Sequence, residues 1–101
     1  MAATASELGA DAERELDEAI AFLEGSRGGS GFRFLADVEH TLQMAVQFPY
    51  IGRKNSRRMR VVVMTGWPYK IVYSVEGDII FVWAIAHDSR KPGYWRKRAR
   101  R

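Results

Sequence analysis

Residues 58–87 decide the fold: RMRVVVMT, GWP, YKIVYSV, EGD, IIFVWAIAH. Three runs rich in β-branched and aromatic residues alternate with two groups of turn residues, Gly66-Trp67-Pro68 and Glu76-Gly77-Asp78. Branched and aromatic side chains fit a pleated, half-buried surface, whereas Gly, Pro and Asp supply turn conformations. The pattern predicts strands over 58–65, 69–75 and 79–87, joined as an antiparallel meander.

Parity along these strands predicts two faces. If the turn at 65–68 pairs Met64 with Tyr69, then Arg60 lies opposite Tyr73 and Val62 opposite Ile71. If the turn at 76–78 pairs Val75 with Ile79, then Tyr73 lies opposite Phe81, Ile71 opposite Trp83 and Tyr69 opposite Ile85. One face then carries Met59, Val61, Val63, Val72, Ile80, Val82, Ala84 and Ala86, with Lys70 and Ser74 at its margins. It is small and apolar, and is expected to lie under helices. The other carries Arg58, Arg60, Tyr69, Tyr73, Phe81, Trp83 and His87. Interleaved cations and rings suit nucleic acid, through phosphates and bases respectively. A second core under the C-terminal segment accounts for the same aromatics. A one-residue slip in either turn exchanges the faces.

The residues before this stretch read as two helices. Over 7–24, Leu8, Ala12, Leu16, Ala19, Ile20 and Leu23 fall on one helical face, and the acidic residues between them read as a solvated face. Thr4 and Glu7 have capping-box spacing. The glycine-rich segment 25–31 makes a turn, with Ser30 positioned to cap the next helix. That helix spans 32–48 on the stripe Phe34, Leu35, Val38, Leu42, Ala45 and Val46, and Pro49 disfavours helix at the residue before it. The expected fold is α+β in two layers: an N-terminal helical hairpin on a small antiparallel sheet.

At 101 residues the chain forms a single domain, 1–101, with a basic C-terminal tail from about residue 89. Without cysteine it has no disulfide framework, thiol nucleophile or cysteine-ligated zinc. No apolar run is long enough for a membrane span and no signal peptide is readable, so a cytoplasmic location is expected. The net charge of +4 is unevenly spread. Residues 1–48 hold three basic and nine acidic residues, −6, and residues 49–101 hold thirteen and three, +10. Such a split points to an anionic partner.

Metal-free RNA cleavage needs a base, a cation for the phosphorane and an acid. Arg58, Arg60, His87, Arg90 and Tyr94 are the candidate catalytic residues. His87 reads first as a structural histidine bonding the backbone and second as a catalytic one, and His40 reads as solvated. Lys70, Tyr73, Trp83, Arg96, Lys97 and Arg98 are the candidate contacts to nucleic acid or another target. The tail cations, Arg100 and Arg101 included, read either as phosphate ligands or as a solubilising terminus. No cofactor or metal is expected.

Four segments resemble the RelE/ParE toxin superfamily. Residues 15–24 (ELDEAIAFLE) and 34–39 (FLADVE, followed by Phe48-Pro49) are similar to its two helices. Residues 57–73 are similar to its central hairpin, and residues 85–95 (IAHDSRKPGYW) to its closing strand and tail. The resemblance covers about residues 12–98 and implies the toxin of a type II toxin–antitoxin pair, a plasmid-stabilisation protein neutralised by an antitoxin that wraps it. ParE-like members poison DNA gyrase without being nucleases, and RelE-like members cleave mRNA on the ribosome. The gyrase reading is preferred. Ribosome-dependent cleavage is the alternative, with Arg58, Arg60, Arg90 and Tyr94 standing where RelE-like members tend to place charge-stabilising arginines and a tyrosine. A plain nucleic-acid-binding module is the reading outside the family. The superfamily opens with a short strand, which residues 1–6 make weak or missing. A missing strand would leave a sheet edge for the antitoxin or a second copy to cover.

Overall fold

The computed structural model describes residues 2–100, of Arg100 the backbone alone. Arg101 and the Arg100 side chain therefore lie outside the described residues. The order is β1 (Ala5–Leu8), α1 (Ala10–Ser26), α2 (Ser30–Gln47), β2 (Arg53–Lys54), β3 (Met59–Val63), β4 (Tyr69–Glu76) and β5 (Ile79–His87), ending in a 3₁₀ helix, Arg96–Arg100. The sheet runs β1-β5-β4-β3-β2. It is mixed, because β1 pairs parallel with β5 while the other pairs are antiparallel. No helix among the described residues is long and apolar enough to cross a membrane.

The first strand is present, though only four residues long. Ala5 to Leu8 pair with Ile79 to Val82, so β5 is covered on that side. This removes the uncovered β5 edge that a missing strand implied. It also overturns the Thr4–Glu7 capping box. The Thr4 amide and hydroxyl both donate to the Asp78 carbonyl, at 2.8 and 3.2 Å, and α1 starts later, after Gly9.

The second helix is capped from the first. Ser30 lies inside α2 and accepts from Arg33, while the Glu24 carboxylate accepts from the Gly29 and Gly31 amides at 2.7 and 2.9 Å. Two otherwise unpaired N–H groups at a helix start are thereby satisfied, and the negative charge opposes the positive end of the helix. Glu24→Ala is expected to cost about 1 kcal/mol, a fall in Tm of roughly 4–8 °C. An unchanged melting curve would remove this cap from the account.

The β3–β4 register is the one parity predicts: Arg60 pairs with Tyr73 and Val62 with Ile71. The β4–β5 register differs. The turn closes on Glu76 and Ile79 around Gly77, whose φ of +63° favours glycine. Val75 therefore pairs with Ile80. Further along, a bulge shifts the pairing, with Tyr73 opposite Val82 and Val72 opposite Ala84, leaving Trp83 as the extra residue. Beyond it Ile71 pairs with Ile85 and Tyr69 with His87.

The two faces are real, but the assignment on β3 and β4 is reversed. Tyr69, Ile71, Tyr73 and Val62 pack with Phe34, Val38, Leu42 and Ala45 of α2 and with Ala12 and Ala19 of α1. Met59, Val61, Val72, Ala84 and Ala86 instead form a second core with Trp95 of the tail. On β5 the bulge divides the strand, so Ile80 and Val82 face the helices as expected whereas Ala84 and Ala86 face the tail. Volume explains the choice. The core under the two helices takes tyrosines and isoleucine, with the Tyr69 ring tilted against Phe34 at a centroid distance of 4.8 Å. The small residues leave room for one indole.

Candidate functional site

The candidate residues separate into two groups along β4. Arg60 pairs with Tyr73 and Arg58 bridges to Glu76, whereas His87 pairs with Tyr69. The eight residues from Tyr69 to Glu76 cover roughly 23 Å of strand.

At the first end, Pro49 ends α2 and the chain turns into β2. The Tyr73 hydroxyl fixes this turn, donating to the Pro49 carbonyl at 2.7 Å and accepting from the Gly52 amide at 3.0 Å. A Cβ at residue 52 would stand 2.9 Å from that oxygen, so glycine is required by close approach. Tyr73, a candidate target contact, has no exposed surface and cannot touch a target, because the helices cover its face of the sheet. Arg60 donates to the Gly52 carbonyl at 2.9 Å and lies over the Tyr50 ring, 4.8 Å from its centroid. Arg58 meets Glu76 at 3.1 Å. Glu76 is held below its ordinary pKa by the Ser74 hydroxyl at 2.6 Å and by Arg58. Tyr50, Lys54, Ser56, Arg57, Arg58, Arg60 and Glu76 line a basic cleft of about 370 Å³.

On the β5 side the centre is Glu15, an α1 residue expected on a solvated face. It is 5% exposed and receives four hydrogen bonds: from the Ile85 amide at 3.1 Å, the Tyr94 hydroxyl at 2.6 Å and Arg98 at 2.9 and 3.0 Å. Arg98 also donates to the Trp83 carbonyl at 2.8 Å and lies 3.6 Å from Asp11. Burial alone would raise the Glu15 pKa, but the bonds from Arg98 and Tyr94 outweigh it and hold the carboxyl below its ordinary value. The Tyr94 phenol is pushed far up by burial and by Glu15, so it stays protonated with its hydrogen directed at that carboxylate. Spacing offered one signal for Glu15: it falls three residues after Ala12 and four before Ala19, both buried.

The other candidates sit around this network. Arg90 stacks on Tyr94, 4.0 Å from the ring centroid. His87 packs edge-on to Tyr69, its Nδ1 accepting from the Ser89 amide at 3.0 Å, so the neutral ring carries its proton on Nε2. Lys70 pairs with Asp88 at 3.2 Å. Trp83 is half-buried and donates to Ser74 at 2.8 Å. Arg96 and Lys97 are exposed, whereas Arg98 is enclosed by its partners. The structure therefore brings His87, Arg90 and Tyr94 to one end and Arg58 and Arg60 to the other. No cluster of metal-ligating side chains occurs among the described residues.

Residues 7–92 match the family model described as the ParE toxin of the type II toxin–antitoxin system parDE. Among solved structures, a chain of the chromosomal ParDE TA system from P. aeruginosa shares the fold, with a TM-score of 0.73 at 16% identity. The match covers 84% of this chain and 95% of that one. No curated protein matches significantly.

Proposed function

The chain belongs to the ParE toxin family of type II toxin–antitoxin systems, and on that premise we propose that it arrests growth in the cytoplasm by binding DNA gyrase, without cleaving RNA, until a cognate antitoxin neutralises it. The observation that carries the non-catalytic part is the engagement of Tyr94 and Arg98 by buried Glu15 on the β5 side of the sheet, whereas Arg58 and Arg60 stand on its β3 side. A nuclease needs its acid, base and cation around one phosphate. Here the phenol is locked to a carboxylate, and the two arginine groups serve different ends of β4.

The test is induction of the chain in growing bacteria, with purified gyrase assayed alongside. The expected results are a DNA-damage response, accumulation of cleaved DNA in the gyrase reaction, intact transcripts, and undiminished growth arrest by the His87→Ala and Arg90→Ala variants. Ribosome-dependent transcript cleavage that these variants abolish would replace this reading with the nuclease one.

A further inference from the structure

We propose that the basic cleft at the β2–β3 hairpin binds single-stranded polynucleotide without cleaving it. Phosphates would be held by Lys54 and Arg57, and a base would stack on Tyr50. Five cations, Arg53, Lys54, Arg57, Arg58 and Arg60, fall within eight residues of sequence. Four of them line the cleft, against a single carboxylate, Glu76, which Arg58 and Ser74 already engage. The Lys54 and Arg57 side chains have no hydrogen-bond or ion-pair partner among the described residues, and both are exposed.

The second element is the Tyr50 ring. It is 64% exposed and held in the chain between Pro49 and the pinned Gly52; the Arg60 guanidinium lies over one face of the ring, so a base would stack on the other. A rigid exposed ring beside unpaired cations is how proteins hold unstacked bases and their backbone together. A duplex keeps its bases stacked and offers the ring no face, and an acidic peptide offers carboxylates without a planar group. The cleft holds no histidine, and its one carboxylate is engaged, so no group stands ready to take a 2′-hydroxyl proton. This inference does not rest on gyrase being the target.

The experiment measures fluorescence anisotropy of labelled oligothymidylate and oligouridylate titrated with the purified full chain. Two or three neutralised phosphates predict an affinity falling about tenfold between about 50 and about 200 mM salt. Equal binding of the two oligomers assigns the site to the shared backbone and base plane; a preference for one names the natural source. Lys54→Ala with Arg57→Ala should lower the log–log salt slope by about 1.4. Tyr50→Leu, which keeps bulk but loses the π-face, should weaken binding roughly tenfold. All three side chains are exposed, and circular dichroism checks that each variant folds. The wild-type salt slope stands independently of the variants. Absence of saturable binding at low salt would overturn the proposal. So would equal affinity for a duplex with no effect of Tyr50→Leu, or displacement by polyglutamate as effective as by oligonucleotide, which would make this an acidic-peptide site.

Discussion

Glu15→Ala is expected to destabilise the protein by about 3–5 kcal/mol, as removal of one partner from a buried ion pair does. The side chain is 5% exposed, and its loss strands the Arg98 guanidinium, the Tyr94 hydroxyl and the Ile85 amide together. Asp11, 3.6 Å from Arg98 and itself bonded to Arg14, compensates little. Glu15→Gln keeps one acceptor but turns an amide N–H toward Arg98, and is expected to fall between wild type and alanine. Urea unfolding measures both. Hydrogen exchange should show protection lost first over residues 94–98, the segment Glu15 ties down.

The same carboxyl makes stability depend on pH. Its pKa is lowered on folding, so its contribution is fully present above the ordinary carboxylate value, near 4.5. It is lost as pH falls through the lower folded value. Acid should therefore destabilise the wild type more steeply than Glu15→Gln. Glu76, also lowered, leaves a residual slope in both. Identical acid profiles would exclude Glu15 as a source of that slope.

Trp95→Ala is expected to cost a further large amount, about 3–5 kcal/mol. The indole is 2% exposed and is the side chain that fills the second core, over Met59, Val61, Val72, Ala84 and Ala86. Small strand residues cannot collapse to close the space it leaves. Its Nε1–H is buried without a hydrogen-bond partner among the described residues, which burdens the native state with an unmet donor. Trp95→Phe removes that donor while keeping most of the apolar volume, so it should cost about 1 kcal/mol or less. A phenylalanine variant as unstable as alanine would show that indole size, not the unmet donor, governs the site. Glu15 and Trp95 secure the same tail segment. The double variant should therefore lose less than the sum of the single losses, because a tail released once has little left to lose.

Much of the fold is written in short-range patterns. The period of Ala12, Leu16, Ala19 and Leu23 makes α1, and Phe34, Val38, Leu42 and Ala45 make α2. The valine run at 61–63 and the turn at Gly66 fix the β3–β4 register, which parity gives correctly at Arg60–Tyr73. These signals are local because helix and hairpin periodicities depend on neighbours within a few residues. The strand at Ala5–Leu8 carries no such signal. It is polar, only four residues long, and exists because β5 offers it a ladder.

The candidate site was less legible. Arg58 and Arg60 do border one cleft, but Tyr50, which completes it, has no pattern in sequence to mark it, and Tyr73 lies under the helices. Parity says which residues share a face and is silent on which face the helices choose. The bulge at Trp83 then divides β5 between the two sides. In sequence Arg98 is one tail cation among several; what sets it apart is Glu15, 83 residues away, which holds it.

By itself, then, the sequence determined the two helices, the meander, the charge separation and the resemblance to a toxin superfamily. All of these are carried by composition and by spacing along the chain. Only the tertiary structure decided which sheet face lies under the helices, that the tail is a packed strap and not a free basic end, and which cations are left unpaired. Those outcomes depend on relative volumes across the sheet and on a buried carboxylate meeting its partners from the opposite end of the chain, and no local pattern encodes either.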